Sequence, residues 1–266
     1  LFYGTLPLGL NAQDVLFRSP SSYVRSFISS DSTRLESINH KGYRLYFKSG
    51  SYASLNLDAL KKELDIAHAR NLDVLEIPDY RFGIYLIAVD SEEEMEELMG
   101  YHIKGGAAKE HDLVFFVFNP VIRPQFKHEI FHLISHEAWG PTQFRLLDEG
   151  GATYTDNYCF YDNPMYTINA YYTKQDELFS FNELIFSFDE TARKDDVKAY
   201  IQSAGIFKYL YEEYGVEKMK LLWRLGFEDF ETIYGFSIET LEEKWVELMR
   251  QMPVPADFDA SRLNNG

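Results

Sequence analysis

Apolar and polar positions change their rhythm partway along the chain. Residues 43 to 47 (YRLYF) alternate as a half-buried strand does, and the next stretch, residues 55 to 70, carries Leu57, Leu60, Leu64 and Ala67 at helical spacing. Residues 82 to 89 read as a second strand. Ser91 and Glu94 form a capping-box pattern ahead of Met95, Leu98 and Met99, which predicts a short helix over SEEEMEELM whose acidic run is a solvated first turn. A flexible KGGAAKE segment follows. Residues 113 to 118 (LVFFVF) are a short continuous apolar run stopped by Asn119-Pro120, the pattern of a buried strand, and a helix is expected after Pro124.

The second half reads as helical. Val197, Ile201, Ala204, Phe207 and Tyr211 share one face, and Ile238, Leu241, Trp245 and Leu248 another, with Gly215, Gly226 and Gly235 as punctuation. The expected fold class is α+β, a mixed β-sheet with helices followed by a mainly helical C-terminal half. Residues 1–120 would form the α/β part and residues 121–266 the active-site helices and helical part of one integrated unit.

Composition agrees with a compact fold: 45% of residues are apolar and 16% aromatic. The formal net charge of −16 opposes phosphate backbones and anionic lipid surfaces, so nucleic acid is not expected as a partner. No apolar run approaches the roughly 20 residues that a membrane span needs. The single cysteine, Cys159, excludes an intrachain disulfide and a multi-cysteine metal site. The chain opens at Leu1 without Met or a basic-then-apolar stretch, which leaves open whether a signal peptide has been removed or was never present.

The chemistry is concentrated in HEIFH, residues 128 to 132. On a helix, positions i and i+4 share a face about 6 Å apart along the axis, so His128 and His132 can direct their imidazoles at one ion. Two nitrogen ligands at about 2.1 Å suit Zn²⁺. Glu129 is rotated from His128 by about 100 degrees, within reach of a water on the metal but not a ligand, which is the place of a general base. The same five letters can also arise by chance on an ordinary surface helix, so a third ligand has to be found.

His136 continues the i+4 series, but about 12 Å of helix separates it from His128, too far for one ion to take all three histidines. The metzincin pattern fails because Ser135 and Ala138 stand where its glycine and last histidine belong. Glu149 remains, in LLDEGGATY, with sixteen residues between it and His132. Trp139-Gly140-Pro141 should break the first helix and Thr142 should cap a second. Gly150 and Gly151 each cost about 1 kcal/mol inside a helix. They either allow backbone to approach the metal helix closely or simply end the second helix at Gly150.

With HEIFH and LLDEGGATY in place, the chain resembles the gluzincin metallopeptidases, most closely the peptidase MA-like proteins. The likeness extends through the helical tail from AYIQSAG to ELMR and covers about residues 43 to 250. It implies a zincin-like fold and zinc on His128, His132 and Glu149. Glu129 would be base and acid, the substrate a peptide or protein, and the location extracytoplasmic. It also implies that residues 113 to 118 are the sheet edge to which substrate adds. Gluzincins use a distal His or Tyr as oxyanion donor. No histidine follows His136, so Tyr200 is preferred over Tyr209, Tyr211 and Tyr214, against the alternative of a core tyrosine. Thr153 stands where thermolysin-like members carry an Asp. The rival to an enzyme is a non-catalytic zinc-stapled module in which the Tyr-rich stretch from Tyr154 to Tyr172 binds a protein or glycan. Intact Glu129 and only three protein ligands favour chemistry.

Overall fold

The computed structural model describes residues 15–29, 35–100, 102–122, 124–156 and 164–264. Cys159 and most of the residues between Tyr154 and Pro164 in the Tyr-rich stretch lie outside the described residues. The chain is mixed α and β, with a five-stranded mixed sheet in its first part and helices throughout its second. It divides into two compact units. One takes the chain to Leu72 together with Ile77–Leu133; the other takes Asp73–Glu76 with Ile134–Gly266.

The first unit runs α1 (Ser22–Ile28), β1 (Leu35–His40), β2 (Tyr43–Lys48), α2 (Tyr52–Leu55), α3 (Leu57–Leu75), β3 (Ile84–Val89), α4 (Glu92–Met99), β4 (Gly105–Ala108) and β5 (Leu113–Val117), and enters α5 (Phe126–Ala138). The sheet order is β1-β2-β3-β5-β4. Strands β2, β3 and β5 are parallel, and β1 and β4 run antiparallel at the two ends. Both faces of the sheet are covered, which is why β3 and β5 read as continuous apolar runs. On one face Tyr85, Ile87, Val89, Leu113, Phe115 and Val117 pack with Val24 of α1 and Met95 and Met99 of α4. On the other, Phe116 meets Phe126 of α5 at 4.6 Å between ring centroids, and the Tyr43 hydroxyl pairs with His68 Nδ1 of α3 at 2.8 Å.

The expected cap of α4 forms in altered shape. Ser91 Oγ accepts from Glu94 N–H at 3.1 Å, but Glu94 Oε2 reaches past Ser91 to take the N–H of Asp90 at 2.7 Å. One expectation fails. Residues 113 to 118 are not the edge of the sheet: β5 is hydrogen-bonded on both sides, to β3 and to β4. The edge is β4, formed by the GGAA of the segment expected to be flexible.

The second unit takes α5 from Ile134 onward and then α6 (Arg145–Asp156), α7 (Met165–Lys174), α8 (Phe181–Phe186), α9 (Phe188–Ala192), α10 (Asp196–Tyr214), α11 (Val216–Leu225), α12 (Phe230–Tyr234) and α13 (Ile238–Gln251). Helix α10 is its axis. From Ile201 to Phe207 every residue is buried, so this helix carries far more than the single stripe its periodicity suggested. Asn169 of α7 donates to Ile201 O at 3.0 Å, and Gln202 exchanges two hydrogen bonds with the Phe179 backbone. On α13, Leu241, Trp245 and Met249 face inward, with Met249 in the place expected of Leu248. No helix among the described residues is long and apolar enough to cross a membrane.

Candidate metal centre

Helix α5 starts two residues after Pro124 and buries Phe126, Ile130, Phe131, Leu133 and Ile134. That stripe leaves His128 and His132 together on a neighbouring face, their ring centroids 4.9 Å apart and their planes at 79°. The buried Asn71 of α3 donates both to Ala67 O of its own helix at 2.9 Å and to Lys127 O at 3.1 Å, which ties the start of α5 to α3. Trp139 and Gly140 end α5, Gly140 with φ of 91°, a conformation that favours glycine. The carbonyls exposed there are satisfied by side chains: Trp223 Nε1 donates to Gly140 O at 2.7 Å and Arg224 Nε to Trp139 O at 2.9 Å. Thr142 accepts from Phe144 N–H at 3.3 Å, inside the turn, and α6 starts at Arg145, so Thr142 is not the residue directly capping it.

Helix α6 continues to Asp156, so Gly150 does not end it. The glycine does serve a close approach, but to a helix other than α5. A Cβ on Gly150 would lie 2.7 Å from Ser203 O and 2.9 Å from Ser203 C, both backbone atoms of α10. The two helices therefore meet main chain to main chain, with Glu149 on the turn beside the contact. Thr153, where a second carboxylate was absent, is buried and uncharged.

One ligand atom each of His128, His132 and Glu149 falls within a cluster whose members all lie within 4.8 Å of one another. His132 and Glu149 are 5% and 6% exposed. Dehydrated imidazole and carboxylate groups this close are suited to a shared cation, and two nitrogens with one oxygen are the donors that zinc takes. His136 stands one turn further on, half-buried in the last turn of α5.

Glu129 points elsewhere on the same helix. Its Oε1 lies 3.7 Å from the point where a Cβ on Gly105 would stand, so the carboxylate faces the edge strand β4.

Arg145 is a residue that motif reasoning missed. Its Nη2 lies 2.9 Å from Glu149 Oε1, and its Nε 3.4 Å from Asp189 Oδ1. Burial works against the guanidinium charge, but Glu149, and after it Tyr200, Asp189 and Asp148, more than offset this and hold its pKa above the ordinary value. Tyr200 is thus in electrostatic reach of the group that pairs with Glu149. It is half-buried, and its ring packs 5.5 Å from that of Phe188. The signal for Arg145 was in the sequence, as the i, i+4 spacing from Arg145 to Glu149. Neither a protein-family model nor a curated protein matches the chain, which leaves the donor set itself, two imidazoles and one carboxylate drawn within 4.8 Å, to speak for its chemistry.

Proposed function

We propose that the chain is a zinc-dependent peptidase of gluzincin type and zincin-like fold, with His128, His132 and Glu149 as the metal ligands and Glu129 as general base. The observation that carries this reading is the convergence of the three ligand atoms to within 4.8 Å, although sixteen residues separate the second histidine from the glutamate. The donor set fits: catalytic zinc keeps three protein ligands and an open fourth position, whereas structural zinc is held by four. Bound there, zinc supplies Lewis acidity and lowers the pKa of a water to about 7.

Glu129 is adjacent to the histidines in sequence and turned toward β4. Its carboxylate takes the proton as the water attacks a peptide carbonyl, then delivers it to the departing amine. Among the described residues strand β4 pairs with β5 alone, and its other side offers backbone N–H and C=O groups to which an extended peptide can add. The glycines and alanines of β4 keep that approach clear of long side chains. Tyr200 is the proposed oxyanion donor, supported by its electrostatic proximity to Arg145 and so to the Glu149 side of the centre.

The experiment pairs zinc stoichiometry with hydrolysis of a peptide library for the parent, Glu129→Gln, Glu149→Ala and Tyr200→Phe. Glu129→Gln should keep zinc and lose hydrolysis, and Glu149→Ala should lose zinc. Tyr200→Phe should keep zinc and lose about 10² to 10³ in kcat. Parental turnover by Glu129→Gln refutes the base. A parent that holds zinc and cleaves nothing favours the zinc-stapled module.

A further inference from the structure

Arg145 and Glu149 stand one turn apart on α6, a spacing that places many glutamates and arginines together on exposed helices without consequence. Two features set this pair apart. The Glu149 side chain is only 7% exposed, so its carboxylate has given up most of its water and depends on specific partners. The guanidinium is also held from behind. Its Nε meets Asp189 Oδ1 at 3.4 Å, and its Cζ lies 5.9 Å from the Phe188 ring centroid, both residues belonging to α9. Phe188 is in turn braced by Tyr200 of α10. A planar fork engaged through two of its nitrogens and flanked by a ring has little freedom to follow a moving carboxylate, so it is the carboxylate that is oriented.

We propose that Arg145 is a positioning residue for the metal ligand Glu149, with Asp189 as the outer anchor that orients its guanidinium. The proposal rests on the reading of His128, His132 and Glu149 as one ligand set. A carboxylate has about four lone-pair sites on two oxygens. With Oε1 held 2.9 Å from Arg145 Nη2 in the ion pair, the side chain is kept in one rotamer. Partners of this kind, behind the ligands of a metal, typically contribute about 10- to 100-fold in affinity.

A rival effect has the opposite sign. Arg145 brings a positive charge beside the seat of a cation, and Coulomb repulsion alone predicts that removing it would tighten metal binding. Geometry should prevail here for two reasons. The Arg145 side chain is 47% exposed and partly neutralised by Asp189, so its field is screened by water. The 2.9 Å contact, by contrast, ends on a nearly dehydrated carboxylate and fixes where it lies.

The test measures zinc affinity of the full chain by competition with a chromophoric chelator, for the parent, Arg145→Met, Arg145→Gln, Asp189→Asn and His132→Ala. Arg145→Met should bind zinc about 10- to 100-fold more weakly than the parent. Arg145→Gln, which restores an N–H donor without the charge, should recover part of that loss. Asp189 is itself 66% exposed, so Asp189→Asn should show a smaller loss in the same direction. Thermal midpoints of the chelator-treated proteins should stay close to the parent's, which separates an effect on the metal from one on the fold. Zinc bound by Arg145→Met or Arg145→Gln as tightly as by the parent, or more tightly, overturns the proposal. So does Arg145→Gln binding no better than Arg145→Met. Should Arg145→Met fail to fold, Arg145→Gln and Asp189→Asn carry the measurement, and parental affinity in both overturns it. Zinc lost in His132→Ala but unchanged in the Arg145 variants leaves the ligand set standing and removes Arg145 alone; a parent that binds no zinc removes both.

Discussion

Replacing Gly150 by Ala sets two backbone effects against each other. Alanine favours a helix interior by about 1 kcal/mol over glycine, so a solvent-exposed Gly150 would be improved by the change. The added Cβ would instead lie 2.7 Å from Ser203 O, 2.9 Å from Ser203 C and 3.3 Å from Ala204 N. All three are main-chain atoms of a helix whose residues are fully buried at that point, so no side chain can swing away and α6 or α10 must shift by several tenths of an ångström. Overpacking of this kind costs about 1 to 3 kcal/mol, with the upper end expected where both partners are backbone. The net expectation is a loss of about 1 to 2 kcal/mol once the gain in helix propensity is subtracted. For a chain of this size that lowers the melting temperature by roughly 2 to 8 °C. Because Glu149 adjoins the displaced turn, zinc affinity should fall in the same variant. Gly150→Val should be worse on both counts. The assays are thermal unfolding followed by circular dichroism and zinc competition by a chelator. A Gly150→Ala protein as stable as the parent, with unchanged zinc affinity, would show slack between α6 and α10 and refute the reasoning.

Two further outcomes are expected. At Gly105, an added Cβ would stand 3.3 Å from Phe115 O and 3.7 Å from Glu129 Oε1, so Gly105→Ala requires the strands to give by a few tenths of an ångström, while the methyls of Gly105→Val must enter the space before Glu129. Misplacement of about 1 Å can cost 10²-fold in turnover, so under the proposed peptidase function Gly105→Val should lose kcat/KM on that order while keeping its zinc; equal turnover would remove β4 as the strand to which peptide adds. At Asp65, burial works against the carboxylate's charge, but hydrogen bonds from Lys41 and His40, with their charges, more than offset it and hold its pKa below the usual range. A depressed folded-state pKa contributes stability above the unfolded value of about 3.9, lost as pH falls through the folded one. The side chain is 36% exposed, so screening limits the pair to about 1 kcal/mol at most. The parent should therefore exceed Asp65→Asn in stability near pH 6, and the gap should shrink as pH falls below the unfolded value and through the lowered folded one; a gap that does not change with pH would contradict the ion pairs as its source.

What the sequence made legible follows the range over which each feature is determined. His128 and His132 share a face because of the pitch of one helix, and any reader of HEIFH can place them. The strand at Leu113–Val117 is equally local, since five consecutive apolar residues bounded by turns have few other uses. Its position in the sheet was not local. A run buried on both faces is what a central strand requires, whereas the edge position is what family likeness implies, against the run's own pattern. The true edge was unreadable for the complementary reason. Gly105 to Ala108 have almost no side chain with which to express a period of two, and they become a strand through pairing with Leu113 to Phe116 opposite. A side chain at Gly106 would have to displace the Phe115 ring, which lies 2.7 Å from where its Cβ would stand.

The same distinction separates Glu149 from what surrounds it. Its distance along the chain from His132 could be read, but the reason for the adjoining glycine could not, because Ser203 lies more than fifty residues downstream and presents backbone, which has no letter in the sequence. Arg145 is the intermediate case. Its spacing from Glu149 was visible, yet an i, i+4 pair on a helix is ordinarily a surface contact of a few tenths of a kcal/mol. Only the burial of Glu149 and the presence of Asp189 and Phe188 behind the guanidinium turn that spacing into a device for holding a carboxylate. Ligands whose spacing comes from helix pitch are therefore the part of such a centre open to sequence reasoning, whereas the groups that orient them depend on which helices the tertiary fold brings alongside.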